Sequence, residues 1–237
     1  MKYFKASLLL TGLGGSTVLS SGFSTTCSDI SLVDSWLVGT CPKGDGTEIK
    51  SSVYLPSKIE NSQGTLAWSA DGQYSNTCQD CELIDSNSTL QCYCYGTYAS
   101  QDGTSTLDLE QHIDNYSGHL LSNLTGAITS IPADLSYPVP SSFVTELELS
   151  PINNSCSDHA TFTVKGPSDC WYLNLGVVEL WKSGISVNNQ GWNIKGYATT
   201  DCTGGEVLVI TPDDDGTCLS FASDVQGFSF TPLWNAD

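Results

Sequence analysis

A segment beginning Cys27-Ser-Asp-Ile-Ser-Leu-Val-Asp-Ser35 returns 51 residues later as Cys78-Gln-Asp-Cys-Glu-Leu-Ile-Asp-Ser86. Each copy leads to another cysteine fourteen positions on, Cys41 and Cys92. Downstream, Leu55-x3-Ile59-Glu60-Asn61-Ser62-Gln63-Gly64-Thr65-Leu66 matches Leu109-x3-Ile113-Asp114-Asn115-Tyr116-Ser117-Gly118-His119-Leu120, now at an offset of 54. The second copy therefore carries a three-residue insertion. A duplication of this size means two similar units that cannot bury enough apolar surface separately and must pack on each other. Val53, Leu55 and Ile59, with Leu107, Leu109 and Ile113, supply apolar positions for that shared core.

The Asn-x-x-Gly elements at 61–64 and 115–118 have turn chemistry, since Asn tolerates and Gly freely adopts a left-handed backbone. The matched spacing predicts bridges Cys27–Cys41 and Cys78–Cys92. Each closes about 15 residues, worth about 3 kcal/mol in the chain-entropy account. Cys81 and Cys94 occur only in the second copy and are expected to pair with each other. Spacing alone leaves open the alternative of Cys78–Cys94 with Cys81–Cys92. Trp36 and Trp68 sit in strand-like alternation and are assigned to the core rather than to a ligand surface.

All ten cysteines follow a start that pairs Lys2 and Lys5 with an apolar run ending in small residues. That is the layout of a secretory leader, expected over residues 1–22, and it predicts a secreted, extracellular chain with disulfides rather than zinc thiolates. No apolar run is long enough to insert in a membrane. The chain has no arginine and a formal net charge of −18, so nucleic acid and anionic lipid are excluded as partners. Short alternating runs between turn residues make the fold class all-β.

Residues 122–151 hold Pro132, Pro138, Pro140 and Pro151 and read as an extended connector, with one edge strand at Phe143–Leu149. Residues 152–237 show six alternating runs: 161–164, 171–180, 192–197, 207–211, 217–221 and 225–231. They predict a small antiparallel sandwich or Greek-key domain with Trp171, Trp181, Trp192 and Trp234 in its core. Expected bridges are Cys156–Cys170 and Cys202–Cys218, the latter stapling a hairpin whose tip is Pro212-Asp-Asp-Asp-Gly216. That tip lacks the ligand spacing of a calcium loop and reads as an acidic turn, so no metal is expected. The pattern Trp192-x-Ile194-x-Gly196-Tyr197 with Gly227-Phe228-Ser229-Phe230 distantly resembles βγ-crystallin motifs and implies no activity.

The N-terminal half carries a closer likeness. Thr25-Thr26-Cys27, Cys41, Ile59-Glu60-Asn61-x-x-Gly64-x-Leu66-x-Trp68, Thr77-Cys78, Cys92 and His112-Ile113-x-Asn115-x-x-Gly118-x-Leu120 resemble the cyanovirin-N homology domain over residues 23–121. The resemblance implies a pseudo-symmetric fold of strands and 3₁₀ turns. It also implies two symmetry-related shallow sites for mannose-type glycans. One site would gather Glu60, Asn61, Ser62, Gln63, Asp71, Gln73, Asn76, Thr77, Tyr93 and Tyr95. The other, weaker in polar groups because Pro42 and Gly44 stand there, would gather Thr25, Thr26, Asn115, Tyr116 and Ser117. Sugar hydroxyls suit amide, carboxylate and hydroxyl side chains, and sugar C–H faces suit aromatic rings.

Sequons place candidate N-glycans at Asn87, Asn115, Asn123 and Asn153. No serine elbow, His-Glu-x-x-His or free thiol nucleophile is evident, so an enzyme is not expected. The reading is a lectin for oligosaccharides or glycoprotein glycans, with no cofactor and an oligomeric state the sequence does not define. The alternative is a secreted structural or cell-surface module without sugar affinity.

Overall fold

The structure, a computed structural model, describes residues 21–70, 72–133, 135, 137–152, 155–156, 160–172 and 180–235. The expected leader lies outside the described residues up to position 20. Its last two positions, Ser21–Gly22 (β1), pair with a strand of the second repeat.

One helical turn, Phe23–Thr26, leads into a three-stranded antiparallel sheet of β2 (Ser28–Val33), β3 (Trp36–Pro42) and β4 (Glu48–Tyr54). A hairpin of β5 (Ile59–Ser62) and β6 (Thr65–Trp68) follows. The second repeat runs likewise: a 3₁₀ turn at Tyr74–Asn76, the sheet β7 (Cys78–Ile84), β8 (Thr89–Cys94) and β9 (Gly103–Asp108), then the hairpin β10 (Ile113–Tyr116) and β11 (His119–Ser122).

The repeats exchange hairpins. β11 of the second repeat lies on β4 of the first, and β6 lies on β9. The same bond seals both junctions: Leu120 N donates to Ser51 Oγ and Leu66 N to Ser105 Oγ, each at 2.9 Å. Phe23 and Tyr74, equivalent residues of the two opening turns, are both fully buried in the shared core with Val53, Leu55, Ile59, Leu109 and Ile113. Leu107 packs against that cluster partly buried, so the expected core positions are borne out. Burial pushes the Tyr74 phenol up to about 12. The unfolded chain loses this proton first, at its ordinary value near 10. Stability is therefore full below pH 10 and falls as pH rises toward 12. In an alkaline absorbance titration, one of the tyrosines should stay protonated until near pH 12, and alkaline melts should shift downward in that window.

The three-residue insertion resolves into two places, and this corrects a pairing. β2 and β3 are joined by Asp34 and Ser35 alone, whereas β7 and β8 are joined by Asp85–Ser88, two residues more. The third extra residue lies between β8 and β9. Past the longer turn, the partner of Cys78 is no longer Cys92 but Cys94, directly opposite it in register. The bridges are Cys27–Cys41 as expected, and Cys78–Cys94 with Cys81–Cys92 in place of Cys78–Cys92 with Cys81–Cys94. The extra bridge takes the place that Ile30 and Gly39 fill in the first repeat, where a Cβ on Gly39 would stand 3.6 Å from the Ile30 side chain.

Among the described residues, the C-terminal half is a sandwich of two four-stranded antiparallel sheets. Its strands are β12 (Thr145–Ser150), β13 (Ala160–Val164), β14 (Ser168–Trp171), β15 (Trp181–Val187), β16 (Trp192–Tyr197), β17 (Glu206–Ile210), β18 (Leu219–Val225) and β19 (Gly227–Pro232). The sheet orders are β13-β12-β15-β18 and β14-β19-β16-β17. β12 is not the expected edge strand: it pairs on both sides, with β13 and β15. The chain thus enters the sandwich inside the stretch read as a connector, and Phe143 just before it is buried. β15 escapes a hydrophobic-periodicity reading because its buried positions include Ser183, Gly184 and Ser186. Most of the run expected at 171–180 lies outside the described residues.

Both C-terminal bridges differ from expectation. They are Cys156–Cys218 and Cys170–Cys202, not Cys156–Cys170 and Cys202–Cys218. β17 and β18 belong to different sheets, so Pro212–Gly216 is a crossover and not a hairpin tip. Cys156 and Cys218 lie in loops just before β13 and β18, and Cys202 lies in the β16–β17 loop. Cys170, on β14, reaches Cys202 past β19, where a Cβ on Gly227 would lie 2.9 Å from the Cys202 sulfur. The crossover carboxylates have local work. Asp214 accepts from the Thr211 amide and hydroxyl, both at 2.8 Å, and Asp215 accepts from Asn189 N at 2.9 Å. The Thr211 amide and hydroxyl hold the Asp214 carboxyl below its usual range.

Trp36 is core, but of the sandwich. Fully buried, it stacks on Phe143 with ring centres 5.0 Å apart and contacts Trp192 and Trp234. Its indole N–H donates to Lys165 O at 2.9 Å. Val38 joins the same cluster, with Tyr54 packed against it. Trp68 stays with the repeat core, partly buried, its ring edge-on to His112.

Candidate functional site

Two hairpin turns organise the surface of the repeat unit. In each, the two central residues take positive φ, at 55° and 89° for Gln63-Gly64 and 51° and 93° for Ser117-Gly118. Such turns match the twist of the strands they join. The preceding asparagine is a clamp rather than the left-handed residue: Asn61 Oδ1 accepts from Gly64 N and Asn115 Oδ1 from Gly118 N, at 2.7 and 2.8 Å.

The Asn61 amide nitrogen then binds three segments together. It donates to Thr77 Oγ1 at 2.8 Å and to Tyr95 O at 2.7 Å, while Tyr95 N donates to Thr77 O at 2.9 Å. Segments 60–63, 73–77 and 93–95 therefore converge. Gln101 adds a fourth, its Nε2 donating to Gln63 Oε1 at 3.1 Å. Its backbone carbonyl lies so close over Gly64 that no Cβ fits there. Around this knot Ser62, Gln63, Gln73, Asn76 and Thr77 are exposed and Glu60 is half-buried. Tyr93 and Tyr95 point outward because they alternate with buried Cys92 and Cys94 along and just beyond β8. Their rings meet edge to face at 5.5 Å, 37 % and 45 % exposed. Asp71 lies outside the described residues.

Of the expected site residues, then, Asn61 is assembled with its neighbours but its own polar atoms are consumed internally. Gln101 and Tyr98, the latter 70 % exposed, were missed. Both lie in the β8–β9 loop, one residue longer than its first-repeat counterpart and unlike it in sequence, so the repeat does not flag them. No Lys or Arg occurs between Lys58 and Lys165, so none of the converging segments 60–63, 73–77 and 93–101 contributes a cation.

The symmetry-related region differs. Asn115 and Tyr116 are buried at 4 % and 6 % exposure, which corrects their expected place on a binding surface. Asn115 points inward to clamp its turn and donate to Pro42 O at 3.2 Å. Thr25 and Thr26 are exposed, yet both hydroxyls donate to Gly22 O. Ser117 alone of the expected group projects freely. The same burial bears on the sequons. The Asn115 amide has no room for a glycan in the folded chain. Asn123 is half-buried with its Oδ1 3.0 Å from His112 Nδ1, Asn87 sits half-buried in the β7–β8 turn, and Asn153 lies outside the described residues.

Residues 23–121 match the family model of the CVNH domain. Solved structures similar to this chain include the MoCVNH3 variant in complex with (N-GlcNAc)4, at 20 % identity, 43 % of this chain, 97 % of that one and a TM-score of 0.39. The CVNH protein of Gibberella zeae is 23 % identical over 43 % of this chain and 96 % of its own, with a TM-score of 0.39. Microvirin, solved with mannobiose, is 29 % identical over 43 % of this chain and 97 % of its own, with a TM-score of 0.38.

Proposed function

We propose, from the CVNH domain that residues 23–121 form, that this chain is a secreted, non-catalytic lectin. It binds neutral oligosaccharides, mannose-type glycans among them, at the knot around Thr77 and Tyr95. The observation that carries the reading is the Asn61 amide. By tying three segments it fixes a shallow ring of amide and hydroxyl groups beside two outward tyrosines. Such groups donate and accept in the pattern hexose hydroxyls require, and the ring faces suit their C–H surfaces. None of the knot's segments contributes a cation, which speaks for neutral sugars over sulfated or phosphorylated ones. Five disulfides support an oxidising destination.

Calorimetric titration with mannobiose, (GlcNAc)4 and a high-mannose glycan tests this. The unmodified protein should bind at least one of them. Tyr95→Ala combined with Gln63→Ala should weaken that binding about tenfold with an unchanged circular dichroism spectrum. Silence of the unmodified protein toward every glycan on an array would overturn the lectin and leave the structural module.

A further inference from the structure

We infer that the outward face of the β7–β8–β9 sheet is an extended platform that carries a neutral oligosaccharide chain away from the knot. The inference rests on the lectin reading and goes further, to the length of ligand the protein prefers.

Register puts three rows of side chains on this face. Tyr93 stands opposite Thr104, Gln91 opposite Thr106 and Thr89 opposite Asp108. The alternation along β9 is complete, with Thr104, Thr106 and Asp108 exposed between half-buried neighbours. Tyr95 continues the face directly into the knot, through the same residue whose backbone Asn61 holds. From Thr89 to Tyr95 the strip runs six residues, roughly 20 Å, more than a two-sugar ligand occupies.

The pseudo-symmetry says what such a face is for. In the first repeat the equivalent positions are Trp36 and Tyr54, Val38 and Ser52, and Thr40 and Lys50. Two of its three rows are covered: Trp36, Val38 and Ser52 are buried at 0 %, 3 % and 1 % exposure, the two apolar ones among the sandwich aromatics, while Lys50 at the far end is exposed. The fold therefore uses this face for docking in one repeat. In the other, Thr89 and Asp108 replace Trp36 and Tyr54 and Gln91 replaces Val38, so the apolar row that docks the first repeat on the sandwich has no counterpart at these positions. Hydroxyls, the Gln91 amide, the carboxylates of Glu82 and Asp108 and two ring faces remain: Gln91 Nε2 donates to Glu82 Oε1 at 3.1 Å, so the face offers acceptors to sugar hydroxyls and repels an anionic polymer. That leaves a flat, neutral, hydroxyl-rich chain as the occupant.

The test compares chain lengths. On the intact protein, affinity for a homologous oligosaccharide series should rise several-fold beyond the disaccharide at 1:1 stoichiometry. Amide shifts should spread from residues 61–77 and 95 onto 89–93 and 104–106. Gln91→Ala with Thr106→Ala, both away from the knot, should remove that gain and leave disaccharide affinity unchanged. Equal affinity across the series, or a gain that survives the double substitution, overturns the platform while the lectin stands. A protein that binds no member of the series overturns both.

Discussion

Trp36→Ala should be the most damaging single substitution outside the cysteines. The indole is fully buried at the join of the two halves, stacked on Phe143 and edge-on to Trp192. Truncating a buried aromatic of this size costs about 3–5 kcal/mol, because the transfer energy is lost and a cavity remains. For a chain of this length that lowers the melting temperature on the order of 10 °C. The bond from its N–H to Lys165 O adds a specific consequence: Trp36→Phe keeps the ring contacts but strands that carbonyl, and should lose about 1–3 kcal/mol. Because Trp36 sits on a strand of the repeat unit yet belongs to the sandwich core, Trp36→Ala should also split a single unfolding transition into two. Urea melts followed by far-ultraviolet circular dichroism and by tryptophan fluorescence check both outcomes. Coincident curves with an unshifted midpoint would show that Trp36 is not what holds the two halves together.

The duplication is therefore structurally symmetric but chemically divided. The first repeat spends its outer face on the sandwich through Trp36, Val38 and Tyr54. The second keeps its face polar and open, and it alone has outward tyrosines beside the knot. An exposed counterpart of Trp36 in the second repeat would have been an apolar patch inviting association; Thr89 stands there instead.

How far the fold could be read from sequence depended on whether the signal was local. The repeat, the Asn-x-x-Gly turns, the core positions from Val53 to Ile113 and the strand at Trp192–Tyr197 were all legible, because each is a periodicity or a turn within a few residues. The pairing of Cys78 was not. Two cysteines, Cys92 and Cys94, lie within reach, and the equal spacing of fourteen favoured the wrong one because the β7–β8 turn is longer by two residues. β12 misled for a different reason. Its Thr-Glu-Leu-Glu-Leu pattern reports that one face meets solvent, and says nothing of whether both edges are hydrogen-bonded. At the site, polar turn residues were read as exposed. That held for Gln63 and Thr77. It failed for Asn115, whose amide is polar because the turn behind it needs a clamp.

Replacing Cys156 and Cys218 together by serine should destabilise the protein more than removing any other bridge. The separation is 62 residues, against 16 for Cys78–Cys94 and 11 for Cys81–Cys92. In the chain-entropy account a loop of that size is worth about 4 kcal/mol and the shorter ones about 3. Position reinforces length. β13 and β18 are the two edges of one sheet, and Cys156 and Cys218 lie just before them in the chain. Between them Ser183 Oγ, on β15, donates to the carbonyls of Ile152 and Ser155, so the incoming segment crosses the end of the sheet before the bridge fastens it. Cutting the bridge frees the crossing segment and the start of β18 at once. The crossover at Pro212–Asp214, which links the two sheets, loses its nearby anchor too. Hydrogen exchange should accordingly show protection falling in β15 and β18 while β7, β8 and β9 keep theirs, since the tandem repeat has three bridges of its own. Equal melting losses for the 62- and 11-residue bridges would mean that loop length does not govern stability here. Exchange rising uniformly through both halves would mean that the Trp36 junction couples them too tightly for either to open alone.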